Sequence, residues 1–158
     1  TGNQNGRSAA SLAAPVAIAV LGDESLLVAD ALNHRVLRFP QGSAVADRVY
    51  GQGGDFATGT ANVGGVTADS LNTPSGVAAA PDSGAGETLY VSDTANNRVL
   101  SFDGTSTTAT LVYGQANLSS AAVTTPATDL LSVRIASSAL CSVKAIPFRF
   151  RRISMTSS

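Results

Sequence analysis

The chain has 158 residues, which is enough for one core-bearing domain or for a few units of a repeat array. Charged residues make up 13% of it, well below the roughly 25% that is usual for soluble domains. The net charge of −1 excludes an overall field that would draw in nucleic acid or an anionic membrane, and the single cysteine, Cys141, excludes an internal disulfide.

Charge is unevenly distributed along the chain. Residues 1–129 carry eleven acidic and five basic side chains, a balance of −6, whereas residues 130–158 carry five basic side chains and no acidic one. The surface is also rich in Ser and Thr, and Asn117 begins a formal glycosylation sequon. These features lean towards an extracellular or cell-surface location and leave the compartment open.

The first predicted strand lies in the apolar run LAAPVAIAVL, residues 12–21. With Arg7 in front of it, this run also resembles the apolar region of a signal peptide. It aligns with residues 71–80 at an offset of 59, with Pro15 on Pro74, and this alignment favours a strand of a repeated unit. No other run approaches the roughly 18–20 apolar residues of a membrane-spanning helix, so no membrane span is expected.

The central part of the chain is a repeat. LLVADALNHRVLRF (26–39) and LYVSDTANNRVLSF (89–102) share eight of fourteen residues, and VYGQ follows each copy, at 49–52 and 112–115. Long-period self-similarity of this kind indicates a repeat architecture.

Each repeated unit is predicted to contain four short β-strands, because β-branched and aromatic residues alternate with small or polar ones between Gly, Pro, Asn and Asp. No segment has a sustained helical period, so the fold class is all-β. The strands are predicted at 16–20, 26–30, 35–39 and 47–51, and then at 76–80, 89–93, 98–102 and 109–114. Within them, burial is predicted for Val28, Val36, Leu37, Val91, Val99, Leu100 and Phe102.

A polar turn separates the second and third strands of each unit. Asp can accept backbone N–H groups at such a turn, Asn tolerates the left-handed conformation, and Arg can cover apolar surface with its stem. A calcium site is the alternative, but each turn supplies one carboxylate and no ligand series follows. A structural role is therefore favoured for the six turn residues, and Asp93→Ala should then cost roughly 1–3 kcal/mol of stability. These residues are Asp30, Asn33, Arg35, Asp93, Asn96 and Arg98.

No catalytic residue, cofactor or metal site is predicted. His34 is the only histidine, and together with Cys141 it supplies too few ligands for a zinc site. His34 also occupies the position that Asn97 holds in the second unit, which indicates a turn residue.

The connection 53–70 is the candidate ligand loop. Connections of this length are commonly functional or disordered. Asp55 and Asn62 could form hydrogen bonds with a ligand, and Phe56 could anchor it; an ordered outer decoration is the alternative.

Residues 71–102 resemble the NHL repeat. They contain Pro-Ser-Gly-Val-Ala, then Leu-Tyr-Val-Ser-Asp, then Asn-Asn-Arg-Val-Leu, and residues 12–39 follow the same pattern with Ala17 in place of Gly and His34 in place of Asn. NHL repeats form the four-stranded antiparallel blades of β-propellers. The resemblance thus implies a partial β-propeller of about two blades, followed by an irregular C-terminal tail.

The chain departs from the family pattern at both ends. Residue 1 aligns within a linking segment, and the Asp-turn-Asn-Arg pattern is missing from the third copy, where residues 152–156 read RISMT. A diverged terminal segment is compatible with this, and so is a fragment whose end derives from a shifted reading frame or a truncated gene. The predicted organisation is blade one with part of a linking segment (1–52), a loop and blade two (53–115), and a degenerate tail (116–158), which should not complete a third blade.

The resemblance implies a non-catalytic module that binds a protein or glycan partner through its loops. The alternative is part of a propeller enzyme, lactonase-like or amidating-lyase-like, whose metal and catalytic residues lie in further blades. An RNA-binding propeller is a third possibility. The acidic balance of residues 1–129 opposes the basic face that RNA requires, so no nucleic-acid partner is expected.

Overall fold

The computed structural model of the protein describes residue 3, residues 6–81 and residues 86–122. These residues form two separate four-stranded antiparallel sheets, and all eight predicted strands are confirmed, with ends within two residues of those expected. Sheet one comprises β1 (Pro15–Val20), β2 (Leu26–Asp30), β3 (Arg35–Phe39) and β4 (Arg48–Tyr50). Sheet two comprises β5 (Pro74–Pro81), β6 (Glu87–Asp93), β7 (Arg98–Asp103) and β8 (Leu111–Tyr113).

Within each sheet, strands that follow one another in the chain are neighbours. The tight turn after the second strand is one turn of 3₁₀ helix, Ala31–Asn33 in sheet one and Thr94–Asn96 in sheet two. The residue after each 3₁₀ turn is left-handed, with φ of 52° at His34 and 53° at Asn97. The backbone therefore reverses in the same way in both units.

The main core lies between the two sheets, because strand side chains alternate between two faces and each sheet buries one of them against the other. We call these the joining faces. The joining face of sheet one presents Leu27, Ala29, Val36 and Tyr50, and that of sheet two presents Leu89, Val91, Leu100, Phe102 and Val112. The rings of Tyr50 and Phe102 meet edge to face across the interface at a centroid distance of 5.2 Å.

The opposite, outer faces are covered unequally. On sheet one, a smaller cluster of Leu37, Ala46 and Val49 packs with Leu12 and Phe56 from the connecting segments. On sheet two, Val99 lies on the outer face and is only half-buried. Val99 is thus less buried than predicted, since no second sheet covers its face in the described part of the chain; the other six residues predicted to be largely buried are buried.

Of the predicted tail (116–158), residues 123–158, with Cys141, lie outside the described residues.

Candidate functional site

The polar turn of sheet one forms a buried network around Asp30. One carboxylate oxygen, Oδ1, accepts the backbone N–H of Ala13 at 2.6 Å. The other, Oδ2, accepts Asn33 Nδ2 and Arg35 Nε, both at 2.8 Å. Asp30 and Arg35 are fully buried. Each charge thus finds its counter-charge inside the protein, where an unpaired charge would be costly.

The rest of the Arg35 guanidinium holds two separate stretches of chain against the sheet. Its NH1 group donates to the carbonyl of Phe56 at 2.5 Å, in the candidate ligand loop. Its NH2 group donates to the carbonyls of Ser11 and Ser8, at 2.7 and 3.1 Å. The planar fork of arginine suits this use, because its donors can satisfy several carbonyls at fixed angles.

Sheet two contains the same network around Asp93. Oδ1 accepts the backbone N–H of Asn72 at 2.7 Å, and Oδ2 accepts Asn96 Nδ2 at 2.8 Å and Arg98 Nε at 2.7 Å. Arg98 and Asp93 are also fully buried at their side chains. The two carboxylates thus have equivalent partners at nearly equal distances.

Arg98 likewise holds the segments on either side of it. Its NH2 group donates to the carbonyls of Ser70 and Thr67, both at 2.9 Å, and its NH1 group donates to the carbonyl of Leu118. The guanidinium of each unit therefore joins the segment before the unit to the segment after it.

Paired side-chain amides extend both networks. Asn3 and Asn33 exchange two hydrogen bonds of 2.8 Å. Asn62 and Asn96 do the same at 3.1 and 2.7 Å. Asn3 and Asn62 both have positive φ, 57° and 51°, a conformation that Asn adopts more readily than most residues. Asn3 and Asn62 are 59 residues apart, which is the offset that aligns residues 12–21 with residues 71–80, and each makes the equivalent contact in its own unit.

The glutamine of each VYGQ segment forms hydrogen bonds that the sequence did not predict. Gln52 donates to the carbonyls of His34 and Thr60, at 2.8 and 3.1 Å, and accepts the Thr60 N–H. Gln115 donates to the carbonyls of Asn97 and Ala122, at 3.0 and 2.7 Å. The recurrence of VYGQ was the signal that could have revealed these residues.

The three residues of the candidate ligand loop are placed differently from one another. Asp55 is exposed, and its Oδ1 caps the backbone N–H of Ala57 at 2.7 Å. Phe56 is half-buried and packs against the small cluster of sheet one. Asn62 is half-buried in its amide pair with Asn96. Of the three side chains, Asp55 is the one presented to solvent.

The loop carrying them is held at several points along its length. Gln52 pairs with Ser70 in a β-bridge, so the two ends of the loop meet. Arg35 holds the carbonyl of Phe56, and Asn62 accepts the N–H of Gly65 at its carbonyl. Between these points Gly53, Gly54, Asp55, Ala57, Gly64 and Gly65 are exposed. The loop is thus held in place by its interior contacts, and we call these six exposed residues its rim.

His34 joins the two units. The backbone N–H of Thr73 donates to His34 Nδ1 at 3.0 Å, so this nitrogen must carry a lone pair. Burial lowers the pKa of His34 from its ordinary value, and the positive charge of Arg7 lowers it further. The negative charge of Asp93 raises the pKa and offsets part of this decrease. The neutral imidazole is therefore the form that fits the folded contact.

Within residues 3, 6–81 and 86–122, no group of three His, Cys, Asp or Glu side chains is placed to hold a metal ion. In the same part of the chain, no helix has both the length and the apolar character needed to cross a membrane.

Comparison of the chain with protein-family models and with curated proteins finds no match.

Proposed function

We propose that this chain is a non-catalytic repeat module of the β-propeller type and that it binds a protein partner through the loop 53–70. The observation that carries the proposal is the construction of this loop. Its interior contacts are made by buried side chains, Gln52, Arg35 and Asn96, whereas its rim is exposed. A loop that is already ordered loses little conformational entropy when it binds, which favours recognition.

The repeated polar residues are not available for this purpose. The carboxylates of Asp30 and Asp93 are fully buried and accept three hydrogen bonds each. Their geometry supports a role in shaping the loops, with recognition left to the exposed side chains and backbone groups of the rim.

A protein partner is favoured over a glycan by the position of Phe56. A sugar-binding loop gains from an exposed aromatic ring, which offers a flat apolar surface. Phe56 instead packs against sheet one, and the rim offers backbone amides and the Asp55 carboxylate. Such groups suit hydrogen bonding to a polypeptide, with Asp55 placed for a basic side chain.

The proposal is tested by site-specific photo-cross-linking. A photoreactive amino acid is placed at Ala57, on the rim, and in a second protein at Thr105, an exposed position in the β7–β8 connection. Each is incubated with extracts and with arrays of glycans and RNAs. We expect one protein species to cross-link from Ala57 and not from Thr105.

Two charge-reversal variants provide the matched control. Asp55→Lys should abolish the cross-link, while Asp47→Lys, which changes an exposed carboxylate in the β3–β4 connection, should preserve it. Equal cross-linking from both positions, or binding only to glycans or RNA, would refute the proposal.

A further inference from the structure

The packing between the two sheets uses different faces of equivalent units. In the repeat alignment, the joining face of sheet two corresponds to the outer face of sheet one, and the joining face of sheet one corresponds to the outer face of sheet two. The outer face of sheet one presents Ile18, Val20, Leu26, Val28, Leu37, Phe39 and Val49; that of sheet two presents Tyr90, Ser92, Val99, Ser101, Leu111 and Tyr113. The contact is therefore head to tail, with one type of face packed on the other.

Each outer face is thus a copy of a surface that is already covered elsewhere in the molecule. Tyr50 is 3% exposed on the joining face, while its equivalent Tyr113 is 41% exposed. Phe102 is fully buried, while its equivalent Phe39 is half-buried. The difference lies in the neighbouring sheet, since the strands and turns around these residues are the same.

The exposed surface on sheet one is unusually apolar. Ile18 and Val20 are each 65% exposed on β1, and they adjoin a shallow depression that is lined by Leu12, Leu26, Val28 and Phe39 together with Glu24, Gln41 and Ser43. Exposed apolar surfaces of this kind commonly mark contact sites.

Within the strand ladders, the outer faces carry three charged side chains: Asp30 and Arg35 of sheet one, which are fully buried and paired with each other, and Asp103 at the end of β7. Packing one on the other would therefore remove almost no charge from water. The outer face of sheet two differs in charge from its counterpart in the repeat, the joining face of sheet one, because that joining face carries Arg38 and Arg48.

We propose that the outer face of sheet two in one molecule packs on the outer face of sheet one in a second copy of this chain, repeating between molecules the packing seen within one. Tyr113 then meets Phe39 of the second copy as Tyr50 meets Phe102. Such a contact is heterologous, because it joins two different faces. An assembled pair of molecules therefore still has one free face of each type, and further copies can add until a ring closes or a filament forms. This inference rests on the sheet packing and not on the proposed function of the loop.

The proposal is tested with the full chain by sedimentation velocity over a range of concentrations. We expect the mass of the unmodified protein to rise above that of one chain. Ile18→Arg blocks the outer face of sheet one, and Tyr113→Arg blocks that of sheet two. Each variant alone should remain at the mass of one chain, with an unchanged circular dichroism spectrum because both positions are exposed.

Mixing the two variants is the decisive step. Each retains the face that the other lacks, so the mixture should form a dimer that grows no further. Leu32→Arg is the matched control: Leu32 is 63% exposed in the turn after β2, away from both faces, and this variant should associate like the unmodified protein. A single-chain mass for the unmodified protein at every concentration, association of Tyr113→Arg alone, or a mixture without dimers would each overturn the proposal.

Discussion

Sheet one and sheet two contain the same polar network in two different settings. In both, a buried carboxylate accepts a backbone N–H, an asparagine and an arginine, with nearly equal distances. The apolar faces differ: Tyr50 is 3% exposed beneath sheet two, while its equivalent Tyr113 is 41% exposed. The turn network is thus a property of one unit, whereas the burial of Tyr50 depends on the neighbouring sheet.

The largest effect is expected from breaking a buried ion pair. Arg98→Met leaves Asp93 buried without its counter-charge, which should lower the free energy of unfolding by roughly 3–5 kcal/mol. Asp93→Ala likewise leaves Arg98 buried without its counter-charge. It should lower the free energy of unfolding by more than the roughly 1–3 kcal/mol expected for loss of a turn acceptor alone. Urea unfolding measures both.

The comparison between the units provides the control for this prediction. Arg35→Met should cost as much as Arg98→Met, because the two networks are equivalent. Arg38→Met, which removes two bridges to exposed carboxylates, should cost at most about 1 kcal/mol. If Arg35 and Arg98 differed by several kcal/mol, the units would not be equivalent.

A second prediction separates the two settings. Leu71 is fully buried between the sheets, and its equivalent Leu12 is half-buried on the outer face of sheet one. Leu71→Ala should cost roughly 2–5 kcal/mol and Leu12→Ala clearly less, measured on dilute protein. Leu37→Ala and Leu100→Ala, at positions equally buried in both units, should each cost roughly 2–5 kcal/mol. Equal costs for Leu12 and Leu71 would contradict the difference in setting.

The glycines of the two VYGQ segments give a smaller effect. Gly51 and Gly114 have φ of 98° and 85°, where an L-residue is strained by roughly 1–2 kcal/mol. A Cβ at Gly51 would also lie 2.7 Å from the Leu71 side chain, whereas at Gly114 its nearest neighbour is the Asn97 carbonyl at 3.2 Å. Thermal unfolding should give Gly51→Ala and Gly114→Ala lower melting temperatures than the unmodified protein. Gly53→Ala, with positive φ but open space, should be milder than Gly51→Ala; the reverse order would contradict this packing.

The smallest effect concerns pH. Because the pKa of His34 is lower in the folded protein, the unfolded chain binds the proton more readily, and stability should fall as the pH drops below the ordinary histidine value of 6.5. His34→Asn introduces the residue that the second unit has at this position. It should remove this part of the pH dependence between pH 7 and pH 5, as followed by urea unfolding. An unchanged pH profile would show that His34 does not titrate with folding.

Much of the fold could be predicted because the informative residues lie close together in the sequence. The alternation in LLVAD and LYVSD and the polar turns define the strands, and the repeat shows that two units share one plan. What the sequence could not supply was which face of each strand would be covered. Val99 illustrates this: its alternation is that of Val36, but no second sheet lies over it in the described part of the chain.

The candidate loop was predictable in extent but not in detail. Its length and glycines marked it as a long connection, but Phe56 and Asn62 turn inward because their partners, sheet one and Asn96, come from other parts of the chain. Contacts between distant segments leave no local pattern. The role of Gln52 was missed for the same reason, since it depends on the carbonyls of His34 and Thr60.

The equivalence of the two buried networks is tested most directly by proton exchange at the Nε–H groups of Arg35 and Arg98. Nitrogen-15 NMR resolves these signals, and Arg35→Lys and Arg98→Lys variants assign them. Both protons lie in buried bonds to a carboxylate, at 2.8 and 2.7 Å, so both should exchange as slowly as the amides of β2 and β6. Exchange of either proton as fast as that of the partly exposed Arg48 would contradict a buried ion pair in that unit.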